Sequence, residues 1–119
     1  MNSFQFKRSD RISKEIKDIV STILSSKIII SNSGLITITK VKTSDNLRFS
    51  KIYLSFIGNK TEITDLVDSM NSNINEYRYH LGKELELKYV PKIKFYHDNT
   101  YEEMENINSL IYKANNNEK

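Results

Sequence analysis

This sequence predicts an α+β fold, a two-layer sandwich in which helices cover one face of a three-stranded sheet, and three observations predict it. Ile12, Ile16, Ile19, Val20, Ile23 and Leu24 recur at i, i+4, i+7, i+8, i+11 and i+12, the stripe of a helix with one buried side. Two later segments change the period to two, sending Ile52, Leu54 and Phe56 to one face in the first and Leu85, Leu87, Tyr89, Ile93 and Phe95 to one face in the second. Between them a helical stretch is broken by the polar run Asn71-Ser72-Asn73-Ile74-Asn75. A three-stranded sheet must cover its apolar face, and the amphipathic helices supply the cover.

A chain of 119 residues, 38% hydrophobic, is long enough for one core and too short for two domains. Residues 1–113 are read as a single domain and residues 114–119 as a disordered tail. The net charge of +3 makes a nucleic-acid partner a fair suspicion without establishing it. With no cysteine, disulfides, thiolate catalysis and cysteine-ligated zinc are excluded. No apolar run approaches a membrane span, and the first eight residues hold no signal-peptide core, so a soluble, cytoplasmic protein away from membranes is expected.

The first helix has Ser9 as its candidate cap. Its face opposite the Ile stripe carries Lys7, Arg11, Lys14 and Asp18, with Arg8 and Lys17 on the flanks, and is net basic. Taken alone, such a face reads as a solvated surface with Glu15 and Asp18 as local partners. After a polar linker, Gly34 precedes a β-branched run at 35–43, Thr43-Ser44-Asp45-Asn46 supplies turn chemistry, and residues 51–57 alternate, which together make an antiparallel hairpin. Lys51, Tyr53 and Ser55 take the outward side. Thr61 is the expected cap of the next helix, whose apolar positions are Ile63, Leu66, Val67 and Met70. The Asn-rich run ends it, because short polar side chains compete for the backbone and Asn tolerates the left-handed conformation a sharp corner needs. Tyr77, Leu81 and Leu85 continue a further helix, whose N-terminus at the corner suits a phosphate. The third strand is read across 85–96, with Pro91 at a bulge or an edge. Thr100-Tyr101-Glu102-Glu103 spells a capping box for a short last helix through Met104, Ile107, Leu110 and Ile111.

These residues also carry a resemblance. Arg8-Ser9-Asp10-Arg11-Ile12 with its Ile stripe, the hairpin from Leu35-Ile36-Thr37 through Asp45-Asn46-Leu47 to Lys51-Ile52-Tyr53-Leu54-Ser55, and the block Leu85-Glu86-Leu87-Lys88-Tyr89-Val90-Pro91-Lys92-Ile93-Lys94-Phe95 with Asp98 resemble the ribosome-binding factor A family, in its order and at its spacing. The resemblance implies a type II KH-like fold, α-β-β-α-kink-α-β with an additional short C-terminal helix. It implies a bacterial assembly factor that binds the free 30S subunit and assists 5′-end processing and late maturation of 16S rRNA, especially in the cold. It also implies a monomer, with neighbouring small-subunit ribosomal proteins and an assembly GTPase as candidate partners.

The family's Ala-x-Gly kink falls on Asn73-Ile74-Asn75, a departure from its pattern, with Asn75 the substitute if a positive φ is required and Arg78 at the basic position three residues on. No Gly-x-x-Gly occurs, so the ordinary KH grip on four bases is not expected. The expected rRNA surface is Lys7, Arg8, Arg11 and Lys14 on the first helix, with Arg78 and Lys83 beyond the kink, and Arg48 and Lys51 as secondary contacts. Arg78 has a plainer reading as the surface partner of Glu76 or Glu84, and Tyr53 and Tyr96, on the outward sheet face, can be read as base-stacking platforms or, more plainly, as shields of the sheet. His80, His97 and Asp98 form no constellation with a nucleophile, a phosphate loop or metal-ligand spacing, so no catalysis, metal or cofactor is expected. The rival reading is a basic adaptor docking on an acidic protein surface.

Overall fold

The computed structural model describes residues 7–100, and in them helix, strand, strand, helix, helix and strand follow one another. Helix α1 (Arg8–Thr22) buries Ile12, Ile16 and Val20 and runs into a π-helical turn (Ile23–Lys27). There the Ile28 N–H reaches the Ile23 carbonyl five residues back, at 2.9 Å, the wider π spacing. Strands β1 (Leu35–Thr43) and β2 (Phe49–Ile57) pair antiparallel, and β3 (Lys92–His97) joins β2 parallel, giving the order β1-β2-β3. A parallel neighbour requires a crossover, which helices α2 (Ile63–Ser72) and α3 (Ile74–Glu84) provide. Ile52, Leu54, Ile93 and Phe95 from the sheet meet Ile16, Val20, Leu66, Met70, Tyr77 and Leu81 from the helices in one core. Tyr77 stands edge-on to Phe95 at 4.9 Å, and burial, with the Glu76 charge as a smaller cause, pushes its phenol up to about 12.

Several boundaries differ from the sequence reading. Ser9 does not cap α1: Lys7 holds the cap position, and Ser9 is buried inside the helix, its hydroxyl 3.5 Å from Asp45 Oδ1. Nor does Thr61 cap α2. Glu62 takes that position, and the Thr61 N–H is spent on the Asn32 carbonyl at 3.2 Å. The third strand starts only at Lys92, because Pro91 has no donor for the ladder; residues 85–91 form a loop that carries Leu85 and Pro91 inward and leaves Tyr89 58% exposed. The capping box beyond Thr100, the last helix and the tail lie outside the described residues.

Strand β1 contains a bulge. Ile38 pairs with Leu54 and Lys40 with Tyr53, so Thr39 is the extra residue. The inward set therefore changes phase from Ile36 and Ile38 to Val41 and Thr43. Uninterrupted alternation from Ile36 would have turned Lys40 and Lys42 into the core; the bulge sends both outward. Across the end of β2, Asp98 ties down this irregularity: its N–H bonds Leu54 O at 2.8 Å, and its carboxylate accepts from the Thr39 hydroxyl and, at 3.0 Å, from the Thr100 N–H. Those bonds, led by Thr39, hold the Asp98 carboxyl down at about 2.

One side chain covers the middle of the outer edge of β3. Asn71 Nδ2 donates to Phe95 O at 3.0 Å, and the Phe95 N–H donates to Asn71 Oδ1 at 2.8 Å. The carboxamide thus imitates a neighbouring peptide, contributing about 1 kcal/mol per bond and blunting an edge that would otherwise invite pairing.

Candidate nucleic-acid interface

The basic end of α1 is fixed on the hairpin by a polar seam. Ser13 Oγ donates to Thr43 Oγ1 at 2.7 Å and accepts the Thr43 N–H at 3.0 Å, and Thr43 Oγ1 is 2.9 Å from Ser50 Oγ inside the sheet. This seam sets how α1 presents its outer face, where Lys7, Arg8, Arg11 and Lys14 are all exposed. Lys7 is 3.9 Å from Asp45, both side chains more than 70% exposed, an ion pair worth little in water. No ion pair engages Arg8, Arg11 or Lys14 among the described residues.

The turn between β1 and β2 adds to this end. Ser44 organises it: its Oγ accepts from the Phe49 N–H at 3.1 Å and donates to Asn46 Oδ1 at 2.7 Å, while Leu47 takes φ +61°. The fold brings Arg48 beside Arg8, Lys88 and Tyr89 in one surface depression. The Arg48 guanidinium lies 5.1 Å and the Lys88 ammonium 5.6 Å from the Tyr89 ring centroid. Tyr89 is absent from the sequence-predicted surface because the alternation of 85–95 places it inside, and Lys88 because the same alternation sets it on the outer sheet face with Lys51 and Lys94; the signal that could have found both is the donor-less Pro91 just downstream.

The other predicted residues separate. Arg78 is half-buried, with Nε 3.2 Å from Pro91 O and Nη2 3.0 Å from Val90 O. It anchors the loop leading into β3, and its partners are these carbonyls, with no ion pair to Glu76 or Glu84. Lys83 is exposed on α3, its ammonium 4.4 Å above Tyr79, beside a groove that α1 lines with Asp18 and Thr22. Lys51 points from the outer sheet face, away from α1. His80 touches Tyr79 edge-on at 5.4 Å and His97 lies 6.3 Å from Phe56, in different elements.

The kink is a single residue. Asn73, at φ −103° and ψ 24°, ends α2 and starts α3, and its side chain donates to Ser69 O at 3.1 Å. That conformation belongs to the bridge region. Asn75 lies inside the first turn of α3, and among the described residues the non-glycine ones with positive φ are Asn32 and Leu47, so the corner is made without a left-handed Asn75. Asp65 and Glu76 flank the corner, which lowers its appeal to an anion relative to the end of α1.

Residues 8–111 match the family model described as ribosome-binding factor A. The chain belongs to the ribosome-binding factor A family. The ribosome-binding factor A of Natranaerobius thermophilus is 32% identical over 108 residues, covering 91% of this chain and 82% of that protein. That of Acetivibrio thermocellus is 34% identical over 105 residues, covering 87% and 85%. The crystal structure of ribosome-binding factor A from Thermus thermophilus superposes with a TM-score of 0.66 at 11% identity, over 75% of this chain and 93% of that one. A Thermus thermophilus ribosome-binding factor A homology model, fitted into the cryo-EM map of a 30S complex, superposes with a TM-score of 0.61 at 12% identity, over 72% and 90%. The fold is therefore the KH-like α+β sandwich of ribosome-binding factor A.

Proposed function

We propose that this chain is a ribosome biogenesis factor that binds the free 30S subunit and assists 16S rRNA 5′-end processing and late maturation through rRNA contacts, without catalysing a reaction. The observation that carries the reading is the basic end of the molecule: Arg8, Arg11 and Lys14 on α1, with Arg48 and Lys88 beside them, fixed by the Ser13–Thr43 seam. Family membership and the 30S complex of the Thermus relative support it. Folded rRNA presents phosphates and shape more than readable base edges, and spread cations on a rigid scaffold suit that target. Lys7 extends the surface at the start of α1, and Lys83, apart from it on α3, is a separate contact. Arg78 serves it by positioning the 88–91 loop, with its remaining guanidinium edge for phosphate. The setting is the cytoplasm, the demand is greatest in the cold, and the protein acts as a monomer beside small-subunit ribosomal proteins and an assembly GTPase.

Co-sedimentation of the purified chain with free small subunits and with intact ribosomes tests this directly. Selective binding to the free subunit, weakening steeply as salt rises, is the expected result. Equal binding to both particles would remove the assembly reading, and a shallow salt dependence would favour an adaptor on an acidic protein.

A further inference from the structure

The outer face of the sheet, opposite the helices, has no role in the site above and is built like a second one. Lys42, Lys51 and Lys94 occupy one register line across all three strands. Strands lie about 4.8 Å apart, so these three cations span about 10 Å transverse to the strands. Like charges directly opposite one another disfavour a sheet, and no ion pair among the described residues relieves these three. The next line of the ladder is Lys40, Tyr53 and Tyr96. The two tyrosine rings stack with centroids 5.5 Å apart. Lys40 sits 4.5 Å over Tyr53, and Lys94 and Lys51 lie 5.4 and 5.9 Å from Tyr96, so the rings hold the ammonium groups in place. Asp98 is the acid at the border of this patch, and it feels Lys40.

We infer that this face binds a single strand of RNA, phosphates along Lys42–Lys51–Lys94 and bases over Tyr53 and Tyr96. The two lines are two residues apart along each strand, about 6.6 Å, which sets a row of cations beside a row of rings. Aromatic rings flanked by a positively charged track are the arrangement that takes single strands without reading their sequence. An acidic protein would neutralise the lysines but has no use for the stacked ring pair. The inference rests on the rRNA reading and deepens it: with α1 on one side of the sandwich and this patch on the other, one molecule holds two RNA segments.

The test uses the full chain and a fluorescent oligouridylate of about ten nucleotides, followed by anisotropy across a salt series, with polyglutamate as competitor. Three variants are compared after a thermal melt shows each folded: Lys42→Gln/Lys51→Gln/Lys94→Gln, Tyr53→Leu, and Arg8→Gln/Arg11→Gln/Lys14→Gln. The sheet triple is expected to weaken oligonucleotide binding about tenfold or more and to reduce the salt slope by about two. Tyr53→Leu should weaken it about fivefold while keeping an apolar cover. The helix triple should lose subunit binding while weakening oligonucleotide binding less than the sheet triple does. No oligonucleotide binding by the wild type, an unaffected sheet triple, or preference for polyglutamate would overturn the inference. Failure of the rRNA reading is separate, since it appears as no wild-type binding to free subunits.

Discussion

Gly34→Ala should unfold about 10 °C or more below the wild type, from a loss of about 3 kcal/mol or more. Gly34 sits at φ +66°, and a Cβ there would meet Ile57 O at 2.1 Å, Gly58 C at 2.6 Å and Asn59 N at 2.7 Å. All three are backbone atoms, so no side-chain rotation removes the clash. The same crossing is tied by the Lys60 and Thr61 N–H groups, which both bond the Asn32 carbonyl, at 2.9 and 3.2 Å. Moving the chain at 34 therefore disturbs the start of β1 and the lead into α2 together. Gly58 is the control. It has φ +75° and open space around the missing Cβ, so Gly58→Ala should cost only the backbone penalty, about 1 kcal/mol. Chemical denaturation of the two variants separates close approach from backbone conformation, and equal losses would contradict the assignment.

Reversal of the α1 surface, Arg8→Glu/Arg11→Glu/Lys14→Glu, should lower affinity for free small subunits about a hundredfold or more near physiological salt and reduce the salt slope by about three. None of the three side chains is paired among the described residues, so the folded chain should melt close to wild type. Arg78→Glu is a poorer probe of the same surface. It releases the Val90 and Pro91 carbonyls and loosens the loop that carries Lys88 and Tyr89, so a binding loss there mixes contact with structure.

Much of this was legible in the residues. Strand β1 was readable to its ends, because Gly34 and the Thr43–Asn46 turn bracket a β-branched run. The Ile stripe of α1 and the alternation of Ile52, Leu54 and Phe56 placed the core, since burial enforces period 3.6 in a helix and 2 in a strand. What was missed depends on partners distant in sequence. Ser9 looked like a cap because a cap is a local device, whereas its burial follows from the hairpin turn packing over it. Asn71 looked like a helix breaker, and its real work is a pair of hydrogen bonds to Phe95, 24 residues away. Tyr89 continued an alternation that the backbone abandons before Pro91. The candidate surface was legible as charge on α1, but only the fold places Arg48 and Lys88 beside it and separates Lys51 from it.

Because the chain contains no cysteine, a hydroxyl-radical source can be tethered to one chosen position, and this gives the most direct test of the central claim, that the α1 end lies against rRNA. Lys14→Cys on the exposed face of α1 and Asp68→Cys on α2 would each carry the probe into complexes with free small subunits. Strand cleavage confined to a few sites in 16S rRNA from position 14, and weak or absent cleavage from position 68, is the predicted result. Binding retained with no rRNA cleavage from position 14 would contradict the account and put a protein surface where the rRNA is placed here.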